Sequence, residues 1–273
     1  MALLHVDFFS EVLDMCVEMD VILPDHSDEE TYPTLYLVHG MSSDHTSWQR
    51  KTSIERYAQE HGFAVVMPAV HLGWYTNMAV GKNYWTYISE EVPRFCRTMF
   101  PKMSRRREDT FAAGLSMGGY GALKLGICAP ESFRAVAALS GAVEIVSDCH
   151  NQIKKYEGLG LSSEIWRDVF GPTEQLEGSE NDLTFRAREL AKTNLPKPSI
   201  YIWCGTEDDA IYEGNVLMGK RLSQMGYEVW YEDSPGDHQW KYWDEKIQLA
   251  LDWFSSMRAR DNQEAPQPER KEQ

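Results

Sequence analysis

A five-residue pattern of glycine and serine constrains this chain more than any other part of its sequence. Residues 114–118 read Gly-Leu-Ser-Met-Gly, after a short apolar run and before a helix-favouring stretch at 122–125. This succession predicts a strand, a sharp turn and a helix, with Ser116 at the turn. Glycine two places before and after the serine leaves room for the turn, because a Cβ at either place would collide with nearby backbone. We therefore expect the Ser116 hydroxyl to project out of the sheet.

The length, composition and net charge of the chain limit its fold, its partners and its cellular compartment. Its 273 residues suit one large α/β domain, and 42% hydrophobic with 25% charged residues is an ordinary globular balance. The net charge of -15 disfavours nucleic acid and anionic membranes as partners. The start of the chain lacks the pattern of a signal peptide, and the five cysteines show no paired or metal-binding spacing. We therefore expect a cytoplasmic protein without a metal site.

Short apolar runs predict a mostly parallel sheet covered by helices on both faces. Residues 3–24 favour two antiparallel strands at one edge of the sheet, and the remaining runs resemble buried strands. Those runs are 35–38, 63–67, 111–113, 135–139, 200–203 and 229–231. Helices are predicted between them at 47–60, 85–99, 117–128, 213–225 and 239–257, with another near 184–192.

The same pattern predicts how the chain is divided. Residues 1–259 are expected to form a single domain, with 145–197 a polar, cap-like insertion between strands 6 and 7 over the carboxyl ends of the strands. From 260 to 273 the chain is polar and contains two prolines but no large apolar residue. That composition predicts a disordered tail.

A serine hydroxyl needs a base to act as a nucleophile, and the base needs a carboxylate to orient it. His238 follows the predicted strand 229–231 at the mouth of a helix, which makes it the candidate base. An acidic loop follows the strand 200–203, where Asp208 is the preferred acid and Asp209 and Glu207 are alternatives. The carboxyl ends of parallel strands meet at one edge of a sheet, so these side chains are expected to meet Ser116 there.

Stabilising a negative oxygen requires two backbone N–H groups beside the serine. The amide of Met117, directly after the serine, is one candidate. The other is the amide of Met41, in the loop His-Gly-Met-Ser after the strand 35–38. For His39 we expect a structural hydrogen bond that holds this loop rather than proton transfer.

Several motifs together resemble the esterase D-like branch of the α/β hydrolases, which includes the S-formylglutathione hydrolases and the bacterial tributyrin esterases. The resemblance covers nearly the whole chain. Its motifs are Leu-Val-His-Gly-Met-Ser at 37–42, Gly-Trp-Tyr-Thr at 73–76, Gly-Leu-Ser-Met-Gly-Gly-Tyr-Gly-Ala at 114–122, Trp-Cys-Gly-Thr-Glu-Asp at 203–208 and His-Gln-Trp-Lys-Tyr-Trp at 238–243. It implies an α/β-hydrolase fold and a triad of Ser116, Asp208 and His238. The acid loop is one residue longer than the family form, so counting from Gly205 favours Asp208 and counting back from Tyr212 favours Asp209.

The resemblance implies a serine carboxylesterase that hydrolyses short-chain acyl esters, acetyl to butyryl, without a cofactor. The alternatives are an S-formylglutathione hydrolase, a sugar acetyl esterase, an enzyme that transfers acyl groups to an acceptor other than water and, in a different class, a non-catalytic binding protein on a hydrolase fold. The expected partner is a small ester; the sequence leaves open whether the chain also forms a homo-oligomer. Bulky side chains in the loops are candidates for the wall of the substrate pocket: Trp48, Trp74, Tyr75, Trp85 and Trp240.

Overall fold

The computed structural model describes residues 1–25, 29–151 and 163–264. Eight strands form one sheet in the order β1-β2-β4-β3-β5-β6-β7-β8. Their bounds are β1 Ala2–Ser10, β2 Met15–Leu23, β3 Thr34–Val38, β4 Ala64–Pro68, β5 Thr110–Leu115, β6 Ala135–Leu139, β7 Ser199–Gly205 and β8 Val229–Ser234. The first two strands form an antiparallel hairpin, β2 also runs antiparallel to β4, and every pairing from β4 through β8 is parallel. The predicted mostly parallel sheet and its antiparallel edge are confirmed.

Helices connect the parallel strands. They are α1 Ser47–Lys51, α2 Ile54–His61, α3 Tyr84–Thr86, α4 Val92–Met99, α5 Met117–Cys128, α6 Ile145–Asn151, α7 Ser163–Phe170, α8 Leu183–Ala191, α9 Tyr212–Gln224 and α10 Trp240–Glu264. A π-helical turn at Tyr87–Glu91 joins α3 to α4, and 3₁₀ turns occur at Arg107–Asp109 and Thr173–Gln175. The helix expected over 47–60 is two helices, because Thr52 has an extended backbone that ends the first. None of the described helices is long and apolar enough to cross a membrane.

Two apolar cores lie on opposite faces of the sheet, because successive side chains of a strand point to opposite sides. On one face Val38 and Ile202 pack under the α5 and α9 helices, which contribute Leu123 and Leu222. On the other face the alternate strand residues pack against α1, α2 and α10, as Phe111 does beside Phe254, with ring centroids 4.8 Å apart. The sheet is thus covered on both faces, as the continuous apolar runs predicted.

The predicted insertion and tail are described only in part. Residues 152–162 of the insertion and 265–273 of the tail lie outside the described residues. The rest of the insertion lies between β6 and β7 and contains α6, α7 and α8. Helix α10 continues to Glu264, so the tail predicted from residue 260 begins too early. A bidentate pair between Arg134 and Asp261 holds this last turn of the helix to the domain.

Candidate active site

Ser116 lies in a strained turn between β5 and α5. Its φ of 54° and ψ of -121° are rare for a residue with a side chain, at a cost of about 1–3 kcal/mol. The surrounding main chain holds this conformation: the Ser116 N–H donates to Leu139 O at 3.0 Å, and the Ser116 carbonyl accepts from Ala142 N at 3.0 Å. The Ser116 side chain is half-buried, as expected for a hydroxyl that faces out of the turn.

The two flanking glycines of the turn are required by close backbone contacts. A Cβ on Gly114 would lie 2.3 Å from the Gly118 carbonyl oxygen. A Cβ on Gly118 would lie 2.4 Å from the carbonyl oxygen of Val38. Both distances are shorter than any real Cβ contact, so only glycine fits. The second contact also seats the start of α5 against the end of β3, where the 39–41 loop begins.

His238 and Asp208 are in direct contact, as the sequence predicted. The Asp208 carboxylate accepts from His238 Nδ1, with Oδ2 at 2.6 Å. The Asp208 side chain is 3% exposed and that of His238 is 40% exposed. A buried carboxylate thus holds an imidazole that reaches the surface, which is the arrangement that fixes the tautomer of a catalytic histidine.

The loop after β7 distinguishes the three acidic candidates. Asp209 and Glu207 are exposed, whereas Asp208 is buried. The Tyr212 N–H, at the start of α9, donates to the Asp208 carbonyl at 2.9 Å. Of the two ways of counting, the one from Gly205 thus selects the carboxylate that is buried and in contact with His238.

A second close contact joins the histidine loop to the acid loop. A Cβ on Gly205 would lie 2.2 Å from the Gly236 carbonyl oxygen, so these loops touch backbone to backbone. The His238 ring also packs edge-on against Trp243, with ring centroids 4.8 Å apart, and Trp243 Nε1 donates to Ser140 Oγ at 3.2 Å. Since Ser140 follows the residue that accepts from the Ser116 N–H, the base and the serine are held by the same segment at one edge of the sheet.

The 39–41 loop lies directly beside the serine. A Cβ added to Gly40 would lie 3.5 Å from Ser116 Cβ. The backbone directly before the Met41 amide therefore runs beside the nucleophile. Met117 is the first residue of α5, where amide groups have no acceptor within the helix and the helix dipole favours negative charge. Both predicted donors thus lie on backbone that borders Ser116.

His39 is a buried anchor of this loop. Its Nε2 accepts from the Val70 N–H at 3.0 Å, so the proton is on Nδ1, which donates to the Gly40 carbonyl at 2.7 Å. Burial lowers the pKa of His39 to about 4, so the imidazole is neutral near pH 7. These contacts match the structural role expected from the sequence.

The five aromatic pocket candidates fall into two groups. Trp48, Trp74 and Tyr75 are 1%, 2% and 0% exposed, so they are core residues rather than the wall of an open pocket. A large ring can fill the interior as readily as it can line a pocket, and the sequence alone does not distinguish these two roles. Trp85 and Trp240 are half-buried, and their contact with substrate remains a prediction.

Two buried polar residues near the site were not expected from the sequence. Asn215, in α9, is fully buried and bonds to the main chain of Gly141 and Ile211. Lys124, in α5, is 1% exposed and donates to Thr76 Oγ1 at 2.9 Å and to Asn181 Oδ1 at 2.6 Å. A lone asparagine or lysine within a helix usually faces solvent, so no sequence pattern marks these two.

A family model and a relative that each match most of this chain are described as esterases. The family model described as "Putative esterase" matches residues 10–254. The acetyl esterase of Caldicellulosiruptor saccharolyticus is 31% identical over 267 residues, covering 94% of this chain and 99% of that protein. Agreement over whole chains favours an enzyme over the non-catalytic binding protein considered above.

Solved structures agree with the sequence match. FphF, a fluorophosphonate-binding serine hydrolase of Staphylococcus aureus, is 33% identical with a TM-score of 0.83. FrmB, an S-formylglutathione hydrolase from Staphylococcus aureus, is 32% identical with a TM-score of 0.82. Each alignment covers 93% of this chain and 98% of the other. The chain therefore belongs to the Esterase family, within the esterase D-like α/β hydrolases, and is a carboxylic ester hydrolase.

Proposed function

We propose that this enzyme hydrolyses short-chain acyl esters through an acyl-enzyme formed on Ser116. The observation that carries the proposal is the 2.6 Å contact between His238 Nδ1 and Asp208 Oδ2, at the same sheet edge as the strained serine. Asp208 engages Nδ1, which leaves Nε2 available to take the proton of the Ser116 hydroxyl. That division of roles is what a serine, histidine and carboxylate need to act as one unit.

The reaction proceeds in two halves. His238 accepts the Ser116 proton as Oγ attacks the ester carbonyl, and the Met117 and Met41 amides hold the resulting oxyanion. The tetrahedral intermediate collapses as His238 returns the proton to the departing alcohol, which leaves an acyl group on Ser116. Water then attacks this acyl group with His238 again as the base, and His238 returns that proton to Ser116 Oγ as the acid is released.

Support for a small acyl group comes from a relative and from crowding at the site. The similar protein from Caldicellulosiruptor saccharolyticus is named an acetyl esterase. A Cβ on Gly40 would lie 2.5 Å from Leu115 Cδ1 and 3.5 Å from Ser116 Cβ, so the 39–41 loop packs closely against the serine turn. Trp85 and Trp240 are the candidates that would limit the length of the acyl chain.

A thioester of glutathione is the second candidate substrate, because FrmB is named an S-formylglutathione hydrolase. The leaving thiol carries a net negative charge, and the net charge of -15 on this chain opposes its approach. An acetylated sugar has a neutral leaving group and meets no such opposition. We therefore favour neutral oxygen esters over the glutathione thioester.

The test is a panel of substrates assayed side by side. It contains p-nitrophenyl esters from acetyl to dodecanoyl, acetylated xylose and S-formylglutathione, with kcat/KM measured for each at low and high salt. We expect the highest values for the acetyl to butyryl oxygen esters. A kcat/KM for S-formylglutathione above that of every oxygen ester would show that the enzyme is a thioesterase.

A further inference from the structure

Two successive peptide groups in the 39–41 loop are each held by a side chain. The Tyr75 hydroxyl donates to the His39 carbonyl at 2.6 Å, and His39 Nδ1 donates to the Gly40 carbonyl at 2.7 Å. A peptide group is planar, so fixing a carbonyl also fixes the N–H of the following residue. The bond to the Gly40 carbonyl therefore sets the direction of the Met41 N–H. The bond from Tyr75 fixes the preceding peptide plane, which joins His39 to Gly40.

Gly40 makes both bonds necessary. A Cβ there would lie 2.5 Å from Leu115 Cδ1, so any larger residue would have to displace the Leu115 side chain. Glycine also imposes few limits on its own φ and ψ, so it cannot hold the two planes at a fixed angle. The orientation of the Met41 N–H thus depends on groups outside the loop.

Tyr75 is placed to act as such a group. Its ring packs on Gly121 in α5, where an added Cβ would lie 2.4 Å from Tyr75 Cδ2. The same helix begins at Met117, the other predicted oxyanion donor. Through this packing and its hydroxyl, Tyr75 links the loop that carries one donor to the helix that carries the other.

The segment that contains Tyr75 is itself held on both sides. Trp74 and Tyr75 have φ angles of 49° and 51°, a left-handed backbone that aromatic residues rarely adopt. Trp74 packs against Trp166 in the insertion, with ring centroids 4.8 Å apart. On the other side the Thr76 hydroxyl accepts from the buried ammonium of Lys124. A strained backbone conformation persists only where contacts on several sides hold it in place, and these contacts do so here.

We propose that Tyr75 is a positioning residue for the oxyanion hole, whose hydroxyl sets the Met41 amide relative to Ser116 through the His39 carbonyl. The inference rests on the proposed function. Burial raises the pKa of Tyr75 well above its usual range, so the hydroxyl remains a hydrogen-bond donor and transfers no proton to substrate. Its effect is therefore expected in the transition state and not in substrate binding.

Tyr75→Phe removes this one hydroxyl and keeps the ring that packs on Gly121. The matched control is Tyr227→Phe, because the buried Tyr227 hydroxyl also donates to a backbone carbonyl, Ala187 O at 2.9 Å, in the distant insertion helix α8. We expect Tyr75→Phe to lower kcat for p-nitrophenyl acetate about ten- to hundredfold with KM little changed. Tyr227→Phe should keep the wild-type kcat.

A second readout separates positioning from a general loss of structure. An aryl trifluoromethyl ketone forms a bond between Ser116 Oγ and its carbonyl carbon and places a negative oxygen in the hole, whereas the matching aryl methyl ketone, whose carbonyl is far less electrophilic, binds without that charge. The inhibition constant of the trifluoromethyl ketone should rise in Tyr75→Phe in proportion to the fall in kcat/KM, and that of the methyl ketone should stay unchanged. Should Tyr75→Phe not fold, Thr76→Ala, which loosens the adjacent anchor, should show a smaller loss with the same pattern.

The outcomes distinguish this inference from the proposed function. Wild-type kcat in Tyr75→Phe, or equal losses in Tyr75→Phe and Tyr227→Phe, would overturn the positioning role and leave the esterase intact. A loss confined to KM would also overturn it. If the wild-type enzyme hydrolyses no ester of the panel, the proposed function fails first, and the inference fails with it.

Discussion

The side-chain amide of Asn215 holds both main-chain polar groups of Gly141. Asn215 Nδ2 donates to the Gly141 carbonyl at 2.8 Å, and Oδ1 accepts from the Gly141 N–H at 3.2 Å. The same Nδ2 donates to the Ile211 carbonyl at 2.8 Å. One buried side chain thus joins the segment behind Ser116 to the turn that contains Asp208.

Asn215→Leu should destabilise the enzyme by about 1–3 kcal/mol, because it leaves the buried Gly141 N–H without a partner. The Gly141 carbonyl still accepts from the Val143 N–H at 3.0 Å, and the Ile211 carbonyl still accepts from the backbone N–H of residue 215 at 3.1 Å. The free energy of unfolding in urea measures the loss. Asn262→Leu is the matched control, since Asn262 is exposed on α10 and a surface change costs less than about 0.5 kcal/mol. Equal midpoints for the two variants would show that the Asn215 bonds contribute nothing to stability.

The loop after β7 allows the same substitution to be compared at two adjacent aspartates, Asp208 and Asp209. Asp208→Asn should lower kcat about ten-thousandfold, because an amide cannot hold the imidazole in the required tautomer. Asp209→Asn removes an equal charge from an exposed site and should leave kcat close to wild type. If Asp209→Asn shows the larger loss, the contact between Asp208 and His238 does not serve the reaction.

The lowered pKa of Lys124 predicts that the free energy of unfolding depends on pH in the alkaline range. Burial lowers its pKa from 10.5 to about 8, so in the folded protein the ammonium releases its proton more readily than in the unfolded chain. Between about pH 8 and 10.5 the unfolded chain binds more protons, and stability must rise with pH. The wild type should therefore gain up to about 3 kcal/mol relative to Lys124→Met over this range. Urea unfolding of both proteins at several pH values tests this, and a constant difference would contradict it.

Acyl chain length tests the two half-buried tryptophans. Acetyl to butyryl esters should react best and chains beyond about eight carbons poorly, because overfilling a packed site costs about 1–3 kcal/mol. Trp85→Ala and Trp240→Ala each remove one ring, and at least one should move the optimum toward longer chains. A highest kcat/KM for dodecanoyl esters in the wild type would contradict a short pocket.

The sequence predicted the parts of this enzyme that rest on local patterns. Continuous apolar runs mark strands buried on both faces, and the glycines around Ser116 mark a turn that tolerates no Cβ. The order of serine, acid and histidine follows from where strands end. These features depend on residues close together in the chain or on the direction of parallel strands.

What the sequence did not predict depends on packing between distant segments. Trp74 and Tyr75 were expected to wall a pocket, yet they are buried, because an aromatic residue has the same pattern in a loop whether it faces inward or outward. The bond between Tyr75 and His39 spans 36 positions, and that between Lys124 and Asn181 spans 57. No local pattern encodes such pairs.

Turnover by Ser116→Ala tests the central claim most directly. The side chain is truncated at a half-buried position, so the fold should persist, as circular dichroism can verify. Hydrolysis of p-nitrophenyl acetate should fall on the order of a millionfold. A fluorophosphonate should add one adduct to the wild type by intact mass and none to the variant. Turnover above about 1% of wild type in Ser116→Ala, or an adduct on the variant, would contradict the account.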